Sequence, residues 1–164
     1  MKSRFLGYSV VVFVVACAHY TILTSAQLDE RGTRKYANTT QAKATEAFAT
    51  GLATLGYNVA VKQPEAGLVK TAPKTMVRSA TAVGEYAANE TDDALAWTIH
   101  VEDTGGDVVV HATPHAFRNG SEMHDENTWA AETLDPWFRD LWSQTDDILG
   151  KPVSAYAPSQ QTAK

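Results

Sequence analysis

The chain has 164 residues, 20% of them charged, and a formal net charge of −5. That length supports one domain, and the acidic balance excludes a general attraction for nucleic acid or anionic headgroups. The single cysteine, Cys17, excludes an intramolecular disulfide, so the core must come from packing alone.

The first residues, Met1-Lys2-Ser3-Arg4, are basic and lead into an apolar run from Phe5 to Ala16. The run closes on Val14-Val15-Ala16-Cys17. Small and branched apolar residues before a cysteine, at the end of such a run, resemble the lipobox of bacterial lipoproteins. Lys2 and Arg4 would hold the start on the cytoplasmic side, and the small Ala16 would admit a peptidase. The resemblance implies that residues 1–16 are a signal peptide. It also implies that Cys17 becomes the first mature residue and carries a diacylglyceryl group and a further chain such as palmitate. Each buried CH₂ adds about 0.8 kcal/mol, so two or three acyl chains anchor where one would not. Residue 18 is Ala rather than the aspartate linked to inner-membrane retention, which favours the outer membrane. Two rivals compete with this reading. No charged residue occurs from Phe5 to Leu28, so the segment could be a membrane-spanning signal anchor. Thr24-Ser25-Ala26 before Gln27 could also be an ordinary cleavage site, giving a soluble secreted protein.

Residues 17–37 read as the lipidated cysteine and a solvated tether, because Asp29 to Lys35 is charged and lacks a steady period. A domain over 38–150 follows. Asn38 and Gln41 have capping-box spacing. Ala44, Ala47, Phe48, Gly51, Leu52 and Leu55 form one apolar helical stripe that Gly56 ends. Tyr57 to Lys62 alternates as a strand, Pro64 to Gly67 turns, and Leu68 to Thr71 returns. Thr75 to Ala82 is a third strand, and Gly84 to Asp93 a polar loop.

The clearest pattern is a hairpin. Ala96 to Glu102 and Val108 to Thr113 flank Gly105-Gly106, a pair suited to the positive φ angles of a type I′ turn. This turn puts Val101 opposite Val110, Ile99 opposite Ala112 and Trp97 opposite Pro114 on an apolar face. On the other face Glu102 meets Val109, His100 meets His111, and Thr98 meets Thr113. A slip of one residue would mix the faces. Asp135-Pro136 fits the start of a last helix, with Trp129 to Leu134 as a separate turn before it. Trp137, Phe138, Leu141, Trp142, Ile148 and Leu149 give that helix a broad apolar face. Residues 151–164 read as a disordered tail. The sum is an α+β two-layer sandwich: an antiparallel sheet of about four to five strands, with an N-terminal and a C-terminal helix on one face.

Catalytic chemistry finds no signature. No Gly-x-Ser-x-Gly elbow occurs. The paired acids Asp92-Asp93, Asp125-Glu126 and Asp146-Asp147 read as surface charge, and Gly105-Gly106 lacks the following helix of a phosphate site. No cofactor is expected, and the expected metal set is none. The only candidates for zinc or copper are His100, His111 and Glu102 on one sheet face, against the simpler reading of a solvated face. Trp129 and Trp142 are candidate partner-binding residues if they stay exposed.

The layout of lipid anchor, tether and helix–sheet–helix domain is similar to small accessory lipoproteins of outer-membrane assembly machines, including the LPS-assembly lipoproteins. The motif after the cysteine, Ala18-His19-Tyr20, departs from that family, so only Cys17 and the lipobox positions carry over. The expectation is a non-enzymatic accessory or scaffold lipoprotein facing the periplasm, with the bilayer and an envelope protein as partners. The alternative is a periplasmic ligand or metal binder using the His100/His111 face.

Overall fold

A computed structural model describes residues 21–83, 87–124 and 129–155, with side chains placed for 21–76, 92–124 and 129–153. Its elements run α1 (Ser25–Gly32), β1 (Thr33–Ala37), α2 (Gln41–Thr54), β2 (Val59–Gln63), a 3₁₀ turn (Pro64–Ala66), β3 (Leu68–Thr71), β4 (Lys74–Val83) and β5 (Ala87–Asp103). They continue with β6 (Asp107–Arg118), β7 (Ser121–Glu122), α3 (Ala131–Leu149) and β8 (Ser154–Ala155). The strands form one antiparallel sheet in the order β2-β3-β5-β6-β1-β8, with β4 also on β5 and β7 on β6. Helices α2 and α3 cover one face. This is the expected α+β sandwich, with a larger sheet than the pattern suggested.

The β5–β6 ladder holds the register read from the sequence, including Ile99↔Ala112, His100↔His111 and Val101↔Val110. Gly105 and Gly106 both have positive φ, and the Thr104 N–H donates to the Asp107 carbonyl, closing a two-residue turn. The apolar face buries Trp97, Ile99, Val101, Val108, Val110 and Ala112 against Phe48 and Leu52 of α2 and Phe138, Leu141 and Trp142 of α3. On the adjacent edge of β5, β3 and β4 run one after the other, interrupted at Ala72–Pro73. There the Trp97 N–H donates to the Thr71 hydroxyl at 2.9 Å instead of a strand carbonyl.

Several expectations are corrected. The segment read as a tether is built into the domain from Thr21 onward. Ile22 bridges Ala130, and the Leu23 N–H donates to the Trp129 carbonyl. Leu23 is 2% exposed. Thr24 and Gln27 make a reciprocal capping box that starts α1. Gly32 ends α1 against the backbone of β6, where a Cβ would strike the Ala112 carbonyl oxygen. β1 then pairs with β6, and α1 lies along the part of β6 beyond β1, closing an otherwise open edge. The charge of this segment misled because Arg31 is buried by a partner more than a hundred residues away, Asp135.

Helix α2 is capped by Thr40, whose hydroxyl accepts from the Lys43 N–H. Asn38 instead takes a left-handed φ of 54° in the approach to α2, and Gln41 donates to the Val101 carbonyl. Residues 87–93, expected in a loop, extend β5 as a long hairpin with β4; residues 84–86 lie outside the described set. The last helix is continuous from Ala131, so Trp129–Leu134 is not a separate turn. Asp135 faces Arg31 rather than capping, and Pro136 removes a single ladder bond, to the Glu132 carbonyl. The first part of the segment read as a disordered tail is structured, with Ser154–Ala155 forming β8 against β1; residues 156–164 lie outside the described set.

Because Leu23 is core rather than tether, Leu23→Ala should destabilise the domain by about 2–5 kcal/mol in urea denaturation, whereas a solvated tether residue would shift it by about 0.5 kcal/mol or less. Gly32→Ala should also lower the midpoint, since the Ala112 carbonyl is backbone and cannot rotate away.

Candidate functional site

The alternation of β1 sends Arg34 and Tyr36 to the helix side of the sheet, where both meet α3. Trp142 lies at the centre of this junction. It is 3% exposed, stacks on Phe138 (centroids 6.2 Å apart, planes at 13°) and takes Phe48 edge-on at 5.7 Å. Its indole N–H donates to the Arg31 carbonyl at 3.2 Å. The Arg34 guanidinium sits 4.6 Å from the centroid of its ring, a cation–π contact.

Asp146 ties the junction together. One carboxylate oxygen accepts from Arg34 Nη1 at 2.6 Å and the other from the Tyr36 hydroxyl at 2.7 Å. One turn from the other end of α3, Asp135 accepts from Arg31 Nε at 2.7 Å. Above these pairs lies an open groove of about 920 Å³, with Arg139, Asp147 and Lys151 also on its walls. Its cations and anions are equal in number. The groove is suited to a polar or mixed-charge segment, and its two arginines nearest the core are already matched to aspartates.

Burial pushes the Tyr36 phenol well above its ordinary value, and the hydrogen bond to Asp146 raises it further. Burial also raises Tyr57. In both, the neutral form is the one the fold holds. The associated stability is therefore complete below the unfolded tyrosine value of about 10 and is lost as pH rises beyond it.

The sheet's other face carries the histidine pair. His100 and His111 are cross-strand partners, as the register requires. His100 and Glu102 are exposed. His111 Nδ1 lies 3.1 Å from the Thr33 hydroxyl and 3.7 Å from Asp29. Among the described residues, no group of three or more His, Cys, Asp or Glu side chains is placed to hold a metal ion. His115 joins Thr98 through Nε2 at 3.0 Å and Glu122 through Nδ1 at 2.7 Å. It walls a smaller depression shared by Leu23, Met123, His124 and Trp129.

The two candidate partner tryptophans separate. Trp142 is a core residue with its indole N–H engaged, which corrects the idea that it is exposed. Trp129 is partly exposed, beside the point where the chain enters the domain. Cys17 lies outside the described residues. Arg31, Arg34, Tyr36 and Asp146 were missed as a group. The available signal was period two over Thr33 to Tyr36, which puts Arg34 and Tyr36 on one face. Asp146, read as surface charge, turns inward to Arg34 and Tyr36, whereas Asp147 is exposed.

Asp146→Ala should cost about 1–3 kcal/mol in chemical denaturation, because it leaves a buried hydroxyl and a guanidinium without their acceptor. For the wild type, the denaturation midpoint should fall as pH rises above about 10. Tyr36→Phe should flatten part of that alkaline slope, while costing about 1 kcal/mol at neutral pH.

No protein-family model matches the chain, and no curated protein matches it. Among solved structures it is similar to a DUF4468 family protein from Bacteroides ovatus ATCC 8483, at 10% sequence identity. The alignment covers 76% of this chain and 88% of that one, with a TM-score of 0.34. A likeness that weak carries no argument about either fold or activity.

Proposed function

We propose that this chain is a cell-envelope lipoprotein, anchored through acylated Cys17 to a membrane facing the periplasm, the outer membrane by preference. Its domain serves as a non-enzymatic accessory or scaffold. The lipobox-like Val14-Val15-Ala16-Cys17 carries the reading, and the way the chain enters the domain supports it.

The burial of Leu23 weighs against the rival cleavage site. Cleavage after Ala26 would remove Leu23 from the core together with Thr24, the cap of α1. A spanning anchor is disfavoured by the same residues. With Thr21 onward committed to the domain, the uncharged run is left with Phe5 to Tyr20, short of the roughly 20 residues that a span needs. Cleavage before Cys17 leaves every described residue in place. Among the described residues, no helix is long and apolar enough to cross a membrane. The scaffold role draws on the groove over Trp142, whose arginines are held in ion pairs and whose rim is charged. Such a surface is suited to recognising a protein segment.

The test is fractionation of the wild type and Cys17→Ser, with metabolic labelling by palmitate. The wild type should take up label and stay in the membrane pellet through a high-salt wash. Cys17→Ser should lose the label and either remain as uncleaved precursor or appear in the soluble fraction. Mature, unlabelled wild type beginning at Gln27 would overturn the proposal.

A further inference from the structure

The covalent geometry between Cys17 and the domain limits how the domain can sit. Thr21 is fixed to the start of α3. Its N–H donates to the Glu132 carboxylate, and its carbonyl accepts from the Ala131 N–H at 2.9 Å. Four residue steps separate Cys17 from Thr21, and an extended chain spans at most about 3.6 Å per step, so the lipidated residue lies within about 14 Å of this point. A domain on so short a leash must present the same end to the membrane.

That end can be traced along the sheet. Leu23 lines the same depression as Pro114, His115 and Ala116 of β6. The Gly105–Gly106 turn is about nine residues away along β6, or about 30 Å. In the other direction, β5 outruns β6. Their pairing stops at Asp93↔Arg118, with Asn119 holding Asp92 as the last tie. Beyond it, Ser79 to Val83 pairs with Ala87 to Thr91 with no third strand among the described residues. This two-stranded ribbon projects about 17 Å past the sheet, and its register sets small apolar pairs, Ala82↔Ala88 and Val83↔Ala87, at the free end. An isolated ribbon of two strands is marginal in water. The same end also exposes Ile22, at 43%, and part of Trp129.

We propose that this end of the domain, from Ile22 and Trp129 along the β4–β5 ribbon as far as the Val83↔Ala87 pair, rests on the phospholipid surface, with the Gly105–Gly106 turn at the membrane-distal pole. The inference rests on acylation of Cys17. It adds a second, non-covalent contact with the bilayer.

Acylation blocks the thiol of Cys17, so a second, introduced cysteine can be labelled alone. Full-length Ser25→Cys, Ala82→Cys and Thr104→Cys would be expressed with the lipid attached. Each would carry an environment-sensitive fluorophore and be reconstituted into phosphatidylethanolamine vesicles doped with headgroup spin-labelled lipid. The expected result is loss of fluorescence at positions 25 and 82 and none at 104. Equal quenching at all three, or quenching at 104 alone, overturns the orientation. Disulfide-linked dimers through position 82 without quenching there would assign the ribbon to a second copy and likewise overturn it. The mass of the N-terminal peptide separates the two ideas. An unmodified Cys17 overturns the lipoprotein reading and the orientation together, whereas an acylated Cys17 with an unquenched position 25 overturns the orientation alone.

Discussion

The pairing of β5 with β6 is the constraint on which the other contacts depend. Side chains alternate along a ladder, so one register decides the fate of every residue on both strands. Here it sends Ile99, Val101, Val108, Val110 and Ala112 to the helices and His100, Glu102 and His111 away from them. β1 inherits the same alternation from β6. Arg34 opposite Val110 and Tyr36 opposite Val108 therefore fall on the helix side, in reach of α3. The junction of Trp142, Arg34, Tyr36 and Asp146 is a consequence of that inheritance.

Within the junction, apolar packing and charge pairing support one another. Phe48, Phe138 and Trp142 fill the space between the helices and the sheet. Arg31 and Arg34 lie where that filling excludes most water. Each would be costly to bury alone, and each has an aspartate from α3 at 2.7 Å or less. Charge-assisted bonds of this kind contribute about 1.5–3 kcal/mol. They also determine the rotation of α3, because Asp135 and Asp146 must point the same way, eleven residues or about three turns apart.

Much of the fold was legible because local chemistry and global pairing agree. Period two around Gly105-Gly106 leaves a single register open, and the stripe from Ala44 to Leu55 can only be a helix face. The misreadings share a cause. Leu23, Arg31 and Gly32 look solvated because what buries them comes from residues 112 to 142, and periodicity within a short window carries no trace of that. Asp135-Pro136 has the form of a helix start, yet tertiary contacts with Thr21 and Ile22 begin the helix one turn earlier. Residues 87–93 lack alternation where, among the described residues, the β4–β5 pairing is the main contact, so nothing there requires one face to be apolar. The Trp142 junction needed β1 to be recognised first, and its charged residues concealed it.

The insertion of β1 beside β6 has a kinetic consequence. Thr33 pairs with His111, Arg31 with Asp135, and Leu23 with Trp129, so the first part of the domain to be made has its partners in the last. Local hairpins such as β5–β6 can close within microseconds. The β1 edge and α1 must wait until α3 is complete as well, and contacts of such long sequence separation slow folding. Until then Leu23 and Tyr36 remain without their core, and docking of the carboxyl-terminal helix is the event that closes the domain.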